Sequence, residues 1–268
     1  MLISSLQNPQ VKQVVRLRDR RERDRERLLL VEGAEELALA LESGARPQTV
    51  YVCPELFAPG PPPLTVERVA ALGPVVEVTR PVFEKIAYRD GPDGWLAVFP
   101  SLGRRLEDLA PGPLPLLLVA EAVEKPGNLG AMLRSADAAG VDGVIVCDPT
   151  TDLSNPNVVR SSKGTLFSVP VVEAGSAETL AWLGSRQIAV VAATPQAPLD
   201  YTQADLHGAV AVVVGTEKEG LTSAWMAAAD VAVRIPMRGR VNSLNVATAA
   251  ALLLYEAARQ RSDRRPGA

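Results

Sequence analysis

The sequence predicts a mixed α/β protein with two domains, of which the C-terminal one contains a parallel sheet. Short, nearly continuous apolar runs alternate with helical patterns in the C-terminal part, which is typical of parallel strands covered on both faces. A smaller α/β pattern occupies about the first 100 residues. A proline-rich stretch between them is typical of a stiff linker.

The N-terminal domain is predicted over residues 1–100. Asn8-Pro9 opens a helical stretch that we expect to run to about Arg27. The run Pro59-Gly60-Pro61-Pro62-Pro63 must be a loop, because proline cannot donate to a helix or a sheet ladder. The other predicted elements are an apolar run at 28–31, helices at 34–42 and 66–72, and strands at 50–52, 75–78 and 95–99.

The C-terminal domain is predicted over residues 116–262, after a linker at 101–115 and before a tail at 263–268. Its strands are expected at 116–120, 144–147, 189–193, 210–214 and 231–235. Its helices are expected at 129–139, 177–184, 222–229 and 243–260.

Composition excludes several classes of protein. Of the 268 residues, 47% are hydrophobic and 22% are charged, which is ordinary globular usage and argues against disorder. Cys53 and Cys147 lie far apart, so neither a zinc site nor a disulfide scaffold is expected, and we predict no metal. No apolar run reaches the roughly 18 residues of a membrane span, and no apolar signal-peptide core is present, so the sequence predicts a cytoplasmic protein.

Charge is distributed unevenly along the chain. The net charge of −3 argues, as an average, against a protein that coats nucleic acid. The segment from Val11 to Arg27 nevertheless holds eight basic and four acidic residues, so its net charge is +4. The alternative is a solvated helix whose opposite charges offset one another. His207 is the single histidine, and no GxGxxG, Walker A or GxSxG motif is present at the required spacing.

Polar and glycine-rich segments follow four of the predicted strands, at 124–130, 194–195, 215–220 and 236–245. Ligands of open α/β sheets bind beyond the carboxyl ends of strands. Simpler interpretations stay open for each segment taken alone. The glycines could only shape turns, Asn128 and Ser243 could only cap helices, and Arg134 could be solvated or paired with Asp137.

Three motifs in these segments resemble the SpoU (TrmH) family of RNA ribose 2′-O-methyltransferases, which belongs to the SPOUT class. The first motif is the run from Asn128 to Gly140, and the second is the run from Val214 to Leu221. The third is Ile235-Pro236-Met237 followed by Ser243-Leu244-Asn245-Val246. Together they cover most of 116–260, and the stretch 157–164 is similar to a family segment between the first two motifs.

The N-terminal part is similar to the substrate-binding domain often fused to this family, which has the α/β fold of small kink-turn-binding ribosomal proteins. This looser resemblance depends on Asn8-Pro9, Lys12, the run 20–23 and Val31-Glu32-Gly33. The full resemblance implies a parallel-sheet SPOUT domain with a deep trefoil knot, a smaller N-terminal RNA-binding domain, and a homodimer. The helix from Leu244 to Tyr255, apolar nearly all round, suits a core or a dimer interface.

The resemblance also implies that S-adenosylmethionine is the cofactor and that the knot loops bind it. The residues expected at the cofactor are Thr194, Pro195, Gly215, Thr216, Glu217, Gly220, Ile235, Pro236, Met237, Ser243, Leu244 and Asn245. The residues expected to act in catalysis are Arg134, Asn128, Glu217, Ser243 and Asn245.

Arg134 is the residue that the resemblance assigns to activation of the ribose hydroxyl. Arginine stays protonated in proteins, so we expect it to clamp an RNA phosphate and lower the pKa of the hydroxyl, while the proton leaves to phosphate or water. Asn128 is expected to orient Arg134 or the ribose. Glu217, Ser243 and Asn245 are expected to hold the loops.

RNA is the expected partner, captured through phosphates by Lys12, Arg16, Arg20, Arg21 and Arg23. A second basic group, formed by Arg259, Arg261, Arg264 and Arg265, is equally well explained as a frayed tail. Ribosomal RNA is favoured as the substrate because the N-terminal domain is present. The alternatives are a transfer-RNA ribose methyltransferase, a base methyltransferase of the same class, and a non-catalytic RNA-binding or ribosome-assembly protein.

Overall fold

A computed structural model describes residues 2–60 and 62–262 of the chain. The predicted tail with Arg264 and Arg265 lies outside these residues, as does Pro61 of the proline-rich loop. The strands β1 to β12 are Leu2–Ile3, Leu28–Glu32, Thr49–Val52, Val75–Val78, Trp95–Pro100, Leu116–Glu121, Gly143–Cys147, Val171–Ala174, Ala189–Ala193, Leu199–Asp200, Val210–Val214 and Val231–Arg234.

Most of the helices have four to ten residues, and two longer helices lie in the C-terminal half of the chain. The helices α1 to α11 are Pro9–Arg16, Arg20–Glu26, Ala34–Glu42, Val66–Ala70, Arg80–Ile86, Pro126–Ala139, Pro156–Ser161, Thr165–Ser168, Ser176–Ser185, Ser223–Ala228 and Val246–Ser262. The two long helices, α6 and α11, have 14 and 17 residues.

Internal contacts divide the chain into two compact units. The first unit comprises Met1–Gly103 together with Asp152–Ser168, and the second comprises Arg104–Thr151 together with Val169–Ala268. The segment Asp152–Ser168, which carries α7 and α8, therefore groups with the N-terminal unit, although it lies in sequence between β7 and β8 of the second unit.

The first unit contains a five-stranded sheet in the order β1-β4-β3-β5-β2. Strands β1, β3 and β4 are parallel to their neighbours in this group, whereas β5 is antiparallel to both β2 and β3. Its core includes the fully buried side chains of Leu17, Phe83, Ile86 and Leu96.

The helical stretch predicted from Asn8 to about Arg27 consists of two helices with a break between them. The Asn8 side chain accepts a hydrogen bond from the Gln10 amide at 2.8 Å and caps α1, as its position predicts. Asp19 has extended backbone angles and accepts from the Arg21 amide at 2.8 Å, so it caps a second helix, α2. Leu17, at the break, is fully buried in the core.

Arg23 on α2 forms a buried ion pair with Asp152, and both residues belong to the first unit. The Arg23 side chain is 2% exposed, and its Nη2 donates to both carboxylate oxygens at 3.2 and 3.0 Å. Its Nη1 donates to the carbonyls of Leu17 and Arg18. This guanidinium therefore fastens the segment Asp152–Ser168 to α2 and to the turn before it.

The second unit contains a seven-stranded sheet in the order β10-β12-β9-β11-β6-β7-β8. Every pair in it is parallel, which confirms the predicted parallel sheet. The five predicted strands are present, and their apolar side chains are mostly buried. The sequence prediction missed β8 and β10, the short strands at the two edges, because neither has a long apolar run.

Several local features complete the second unit. Leu106 and Leu109, inside the predicted linker, are buried in its core.

Cys53, in the first unit, and Cys147, in the second, are both buried and free, and burial raises the pKa of the Cys147 thiol to about 12. None of the helices in the described part of the chain combines the length and the apolar character that a membrane span needs.

The Arg23→Ala substitution tests the buried ion pair. It leaves the Asp152 carboxylate buried without its cation, so we expect the free energy of unfolding to fall by about 3–5 kcal/mol. Urea unfolding followed by circular dichroism measures this loss. Arg21→Ala, an exposed neighbour on the same helix, is the control and should change stability by less than about 0.5 kcal/mol. Equal effects of the two substitutions would contradict a structural role for the ion pair.

Candidate active site

Four neighbouring strands of the second unit bring the predicted loops together. Strands β12, β9, β11 and β6 are adjacent in that order and parallel. Because parallel strands end at the same edge of a sheet, the loops that follow them share this edge. These are the segments at 124–130, 194–195, 215–220 and 236–245, which carry all the predicted cofactor and catalytic residues except Arg134, a residue of helix α6.

The loop after β11 is a tight turn closed on itself. The amide of Thr216 donates to the carbonyl of Gly220 at 3.0 Å, and the amide of Gly220 donates back at 3.2 Å. A side chain on Gly215 would overlap the carbonyl group of Gly220 and lie 2.6 Å from the amide nitrogen of Leu221. Gly220 has a φ of +73°, in the left-handed region that favours glycine. Both glycines are therefore required by the shape of this loop.

Three of the predicted catalytic residues are joined by hydrogen bonds, which we call the amide relay (Asn245, Asn128 and Glu217). Asn245 Nδ2 donates to Asn128 Oδ1 at 3.0 Å, and Asn128 Nδ2 donates to Glu217 Oε1. The other end of the relay is the start of α11, where Asn245 Oδ1 accepts from the amide of Ala247 at 3.0 Å. The relay connects residues far apart in sequence that belong to α6, the loop after β11 and the cap of α11.

Glu217 contributes a second carboxylate oxygen that is buried. Its Oε2 has no hydrogen-bond partner within the described residues. A buried acceptor without a donor is costly, so this oxygen is a place where a donor from a ligand is stabilising. The side chain as a whole is half-buried, in the loop that follows β11.

Arg134 lies on the exposed side of α6, and the structure gives it no ion pair or hydrogen bond with another described side chain. The alternative pairing with Asp137 is not formed. The side-chain hydrogen bonds of Asn128 go to Glu217 and Asn245 and not to Arg134, so the expectation that Asn128 orients Arg134 or the ribose stays a prediction. An exposed guanidinium without such bonds can bind an anion such as an RNA phosphate.

The remaining predicted cofactor residues line the loops after β9 and β12. Thr194, Ile235, Pro236 and Met237 are half-buried, whereas Pro195, Ser243 and Leu244 are exposed. Helix α11 begins at Val246 and not at 243, because Asn245 provides the cap. Ser243 therefore does not cap this helix, and the simpler interpretation of Ser243 as a cap is wrong.

The chemistry at this edge comes from carboxylate, amide, hydroxyl and guanidinium groups. His207 precedes β11, so it belongs to the opposite edge of the sheet, and its Nδ1 lies 2.7 Å from Asp205 Oδ1. No cluster of three or more histidine, cysteine, aspartate or glutamate side chains suited to a metal ion occurs in the described residues. The arrangement can bind a polar ligand and a phosphate, and it can stabilise an oxyanion.

The basic residues of the first unit separate into two kinds. Lys12, Arg16, Arg20 and Arg21 are exposed, although Arg16 lies 3.6 Å from Glu22 and Arg20 lies 3.6 Å from Asp24. Arg23 is buried against Asp152, so the prediction that it contacts RNA is wrong: its side chain is 2% exposed, and both of its Nη atoms already donate inside the protein.

The two described arginines of the C-terminal basic group also have internal partners. Arg259 pairs with Glu256 at 2.7 Å. Arg261 donates to the carbonyls of Leu114, Pro115, Leu206 and Gly208, and burial lowers its pKa from the usual value. Arg261 is therefore a structural residue that holds chain segments together, and not a surface contact for RNA.

Sequence reasoning missed Glu121, a buried carboxylate at the carboxyl end of β6. It accepts hydrogen bonds from the amide and the hydroxyl of Thr222, just beyond the loop at 215–220. The available signal was an acidic residue that ends an otherwise apolar strand, directly before a polar segment.

Sequence profiles match both parts of the chain. The profile of the SpoU rRNA Methylase family matches residues 115–255, just over half of the chain. The profile of the MRM3-like substrate binding domain matches residues 8–97. The two matches confirm the resemblance that the motifs indicated, in the C-terminal and in the N-terminal part.

Relatives align over nearly the full length. The chain is 30% identical to the 23S rRNA (guanosine(2553)-2′-O)-methyltransferase RlmP of Bacillus subtilis, over 94% of this chain and 97% of that protein. Its fold matches the crystal structure of an RNA 2′-O ribose methyltransferase with a TM-score of 0.85 and 44% identity, over 98% of this chain and 100% of that one. It also matches the AdoMet-bound rRNA methyltransferase of Sinorhizobium meliloti, with a TM-score of 0.88, 32% identity and 97% coverage of both chains.

Other curated relatives match only in part. The chain is 41% identical to the 23S rRNA (uridine(2479)-2′-O)-methyltransferase of Streptomyces viridochromogenes, but over 51% of this chain and 50% of that protein. The chain thus spans about half the length of this curated relative.

The Gly215→Ala substitution tests the geometry of the loop after β11. The added methyl group must displace Gly220 and Leu221, so we expect at least about tenfold weaker binding of S-adenosylmethionine in calorimetry. Gly184→Ala is the matched control, since no atom lies within 4 Å of its added methyl group, and its affinity should equal that of the wild type. Unchanged affinity of Gly215→Ala would show that the tight turn is not needed for binding.

Proposed function

Because the chain belongs to the SpoU rRNA methylase family, we propose that it transfers a methyl group from S-adenosylmethionine to a ribose 2′-hydroxyl of ribosomal RNA. The observation that carries the proposal is the amide relay at the edge of the parallel sheet. It unites Asn128, Glu217 and Asn245, one from each of the three motifs, with Arg134 exposed on the same helix as Asn128.

The residues at this edge fit the cofactor. The turn from Gly215 to Gly220 offers closely spaced peptide groups, and the buried Oε2 of Glu217 needs a donor. Half-buried Ile235, Pro236 and Met237 provide the apolar surface that an adenine ring prefers. Thr194, Pro195, Thr216, Ser243, Leu244 and Asn245 complete the proposed site. When bound, S-adenosylmethionine supplies an electrophilic methyl group on a positively charged sulfur.

Arg134 is proposed to prepare the ribose hydroxyl. Its exposed guanidinium can clamp an RNA phosphate and place positive charge near the developing alkoxide, which lowers the pKa of the hydroxyl. Because arginine remains protonated, the proton leaves to phosphate or to water. Alignment of the reacting groups supplies a further part of the rate acceleration.

The relay residues are proposed to hold the site while Arg134 acts. Asn128 and Asn245 fix the position of Glu217 from the side of α6 and α11, which keeps the loop after β11 in one conformation. Ser243 is exposed between the third-motif residues Met237 and Asn245, where its hydroxyl can contact the cofactor or the ribose.

Substrate capture is proposed for the N-terminal domain, residues 1–100, and catalysis for residues 116–262. The exposed residues Lys12, Arg16, Arg20 and Arg21 can bind phosphates without reading sequence, so affinity should fall steeply with salt. Ribosomal RNA is preferred over transfer RNA because full-length relatives carry ribosomal RNA in their names. A cytoplasmic location follows from that substrate.

A homodimer and a deep trefoil knot complete the proposal. An exposed stripe on α11 supports the dimer, since Leu252 is 37% exposed and Tyr255 is 54% exposed one turn apart. Large apolar side chains in a row on one helix are typical of a protein interface. For the knot, the support is the family resemblance and the adjacency of β12, β9 and β11.

Methylation of ribosomal RNA with labelled S-adenosylmethionine tests the proposed function. We expect the wild-type protein to label a ribose 2′-oxygen, and Arg134→Ala to lower the rate by at least about 10² while cofactor affinity stays within a factor of two. Arg134→Lys is the control for charge without the planar guanidinium, and should retain more activity than the alanine variant. Labelling on bases alone would refute ribose methylation, and full activity of Arg134→Ala would refute its role.

Sedimentation velocity tests the proposed dimer. Tyr255→Glu places a charge in the exposed stripe of α11, so we expect the dimer dissociation constant to rise by about two orders of magnitude. The control is Leu6→Glu, because Leu6 is 46% exposed and belongs to the first unit, whereas α11 belongs to the second. A dimer that resists Tyr255→Glu but dissociates in Leu6→Glu would place the interface elsewhere.

A further inference from the structure

Glu121 is an acidic side chain buried at the carboxyl end of β6. It is 2% exposed. A buried carboxylate is costly unless hydrogen bonds satisfy it. Both of its oxygens are engaged by one residue, since the Thr222 amide donates to Oε2 at 2.9 Å and the Thr222 hydroxyl donates to Oε1 at 2.7 Å.

Thr222 stands where the loop after β11 ends and α10 begins. The loop starts at Gly215, closes through Thr216 and Gly220, and leads through Leu221 to Thr222. Strand β6 is the direct neighbour of β11, with Ala120 opposite Val214. The carboxylate of Glu121 therefore fastens the far end of the loop to the strand beside its starting point.

We propose that Glu121 is a positioning residue for the cofactor, which it does not touch, and that it acts by holding Thr222 and thereby the loop at 215–220. The inference rests on the proposed function, because it presumes that this loop binds S-adenosylmethionine. The loop is held from two sides, by the amide relay at Glu217 and by the Glu121 clasp (Glu121 with Thr222). Ligand affinity is highest when a binding loop is already ordered in its bound conformation.

Four substitutions separate positioning from general stability. Thr222→Val removes the hydroxyl at nearly constant shape, and Thr222→Ser restores it. Glu121→Met fills the same space but breaks both bonds, and apolar replacement of a buried charge is often neutral for stability. Glu121→Gln can keep both contacts, because its oxygen accepts from the amide and its nitrogen donates to the threonine oxygen.

Calorimetry with S-adenosylmethionine, thermal unfolding and steady-state kinetics give the readouts. We expect Thr222→Val and Glu121→Met to raise the cofactor Kd and KM by about tenfold or more, with kcat at saturating cofactor within about twofold. Thr222→Ser and Glu121→Gln should stay within about threefold of the wild-type Kd. The order of the four variants by melting temperature should differ from their order by cofactor affinity.

Two results overturn the inference. One is wild-type cofactor affinity in both Thr222→Val and Glu121→Met. The other is a loss of melting temperature and kcat at unchanged KM, which is the pattern of a merely structural carboxylate. Failure of the wild-type protein to bind S-adenosylmethionine would refute the proposed function instead. This result differs from the two above because it is seen without any substitution.

Discussion

The hydrogen bonds among Asn245, Asn128 and Glu217 are the interaction on which the rest of the site depends. Each asparagine amide uses its nitrogen as a donor and its oxygen as an acceptor, so neither amide can be turned over without losing bonds at both ends. The relay starts from the backbone of α11 and ends on the loop after β11. Helices α6 and α11 and the loop after β11 are therefore fixed to each other by two amide side chains and one carboxylate.

In this arrangement, the residues that hold the loop in place differ from the residue proposed to act on the ribose hydroxyl. The polar side-chain atoms of the relay bond to one another or to the backbone of α11, apart from the buried Oε2 of Glu217, which has no partner in the described residues. Arg134 has the opposite character, because it is exposed and has no bond to another described side chain. A rigid frame and an exposed cation on the same helix as Asn128 suit the positioning of an RNA phosphate and a hydroxyl.

Much of the fold could be predicted because the apolar runs of the second unit are long enough to indicate strands, and the observed strands β6, β9 and β11 begin or end within one residue of the prediction. The break between α1 and α2 could not be predicted from charge patterning, since it depends on Asp19 acting as a cap and on Leu17 entering the core. The grouping of Asp152–Ser168 with the first unit depends on contacts distant in sequence.

The sequence predicted which residues belong to the candidate site, but not the hydrogen bonds that join them. The motifs named Asn128, Glu217 and Asn245, whereas their mutual hydrogen bonds depend on three-dimensional proximity over 89 and 117 residues of sequence. Arg23 was assigned to RNA because it lies in the basic segment from Val11 to Arg27, yet its partner Asp152 is 129 residues away. Glu121 belongs to none of the quoted motifs, and its burial and its hydrogen bonds to Thr222 are visible only in the structure.

A double-mutant cycle between Asn128 and Glu217 tests the central claim most directly. Binding of S-adenosylmethionine would be measured by calorimetry for the wild type, Asn128→Ala, Glu217→Ala and the double variant. If the relay holds the loop, the two substitutions are coupled by about 1–3 kcal/mol, because either one already breaks the same bond. Losses that add to within about 0.5 kcal/mol would contradict the relay as the constraint that organises the site.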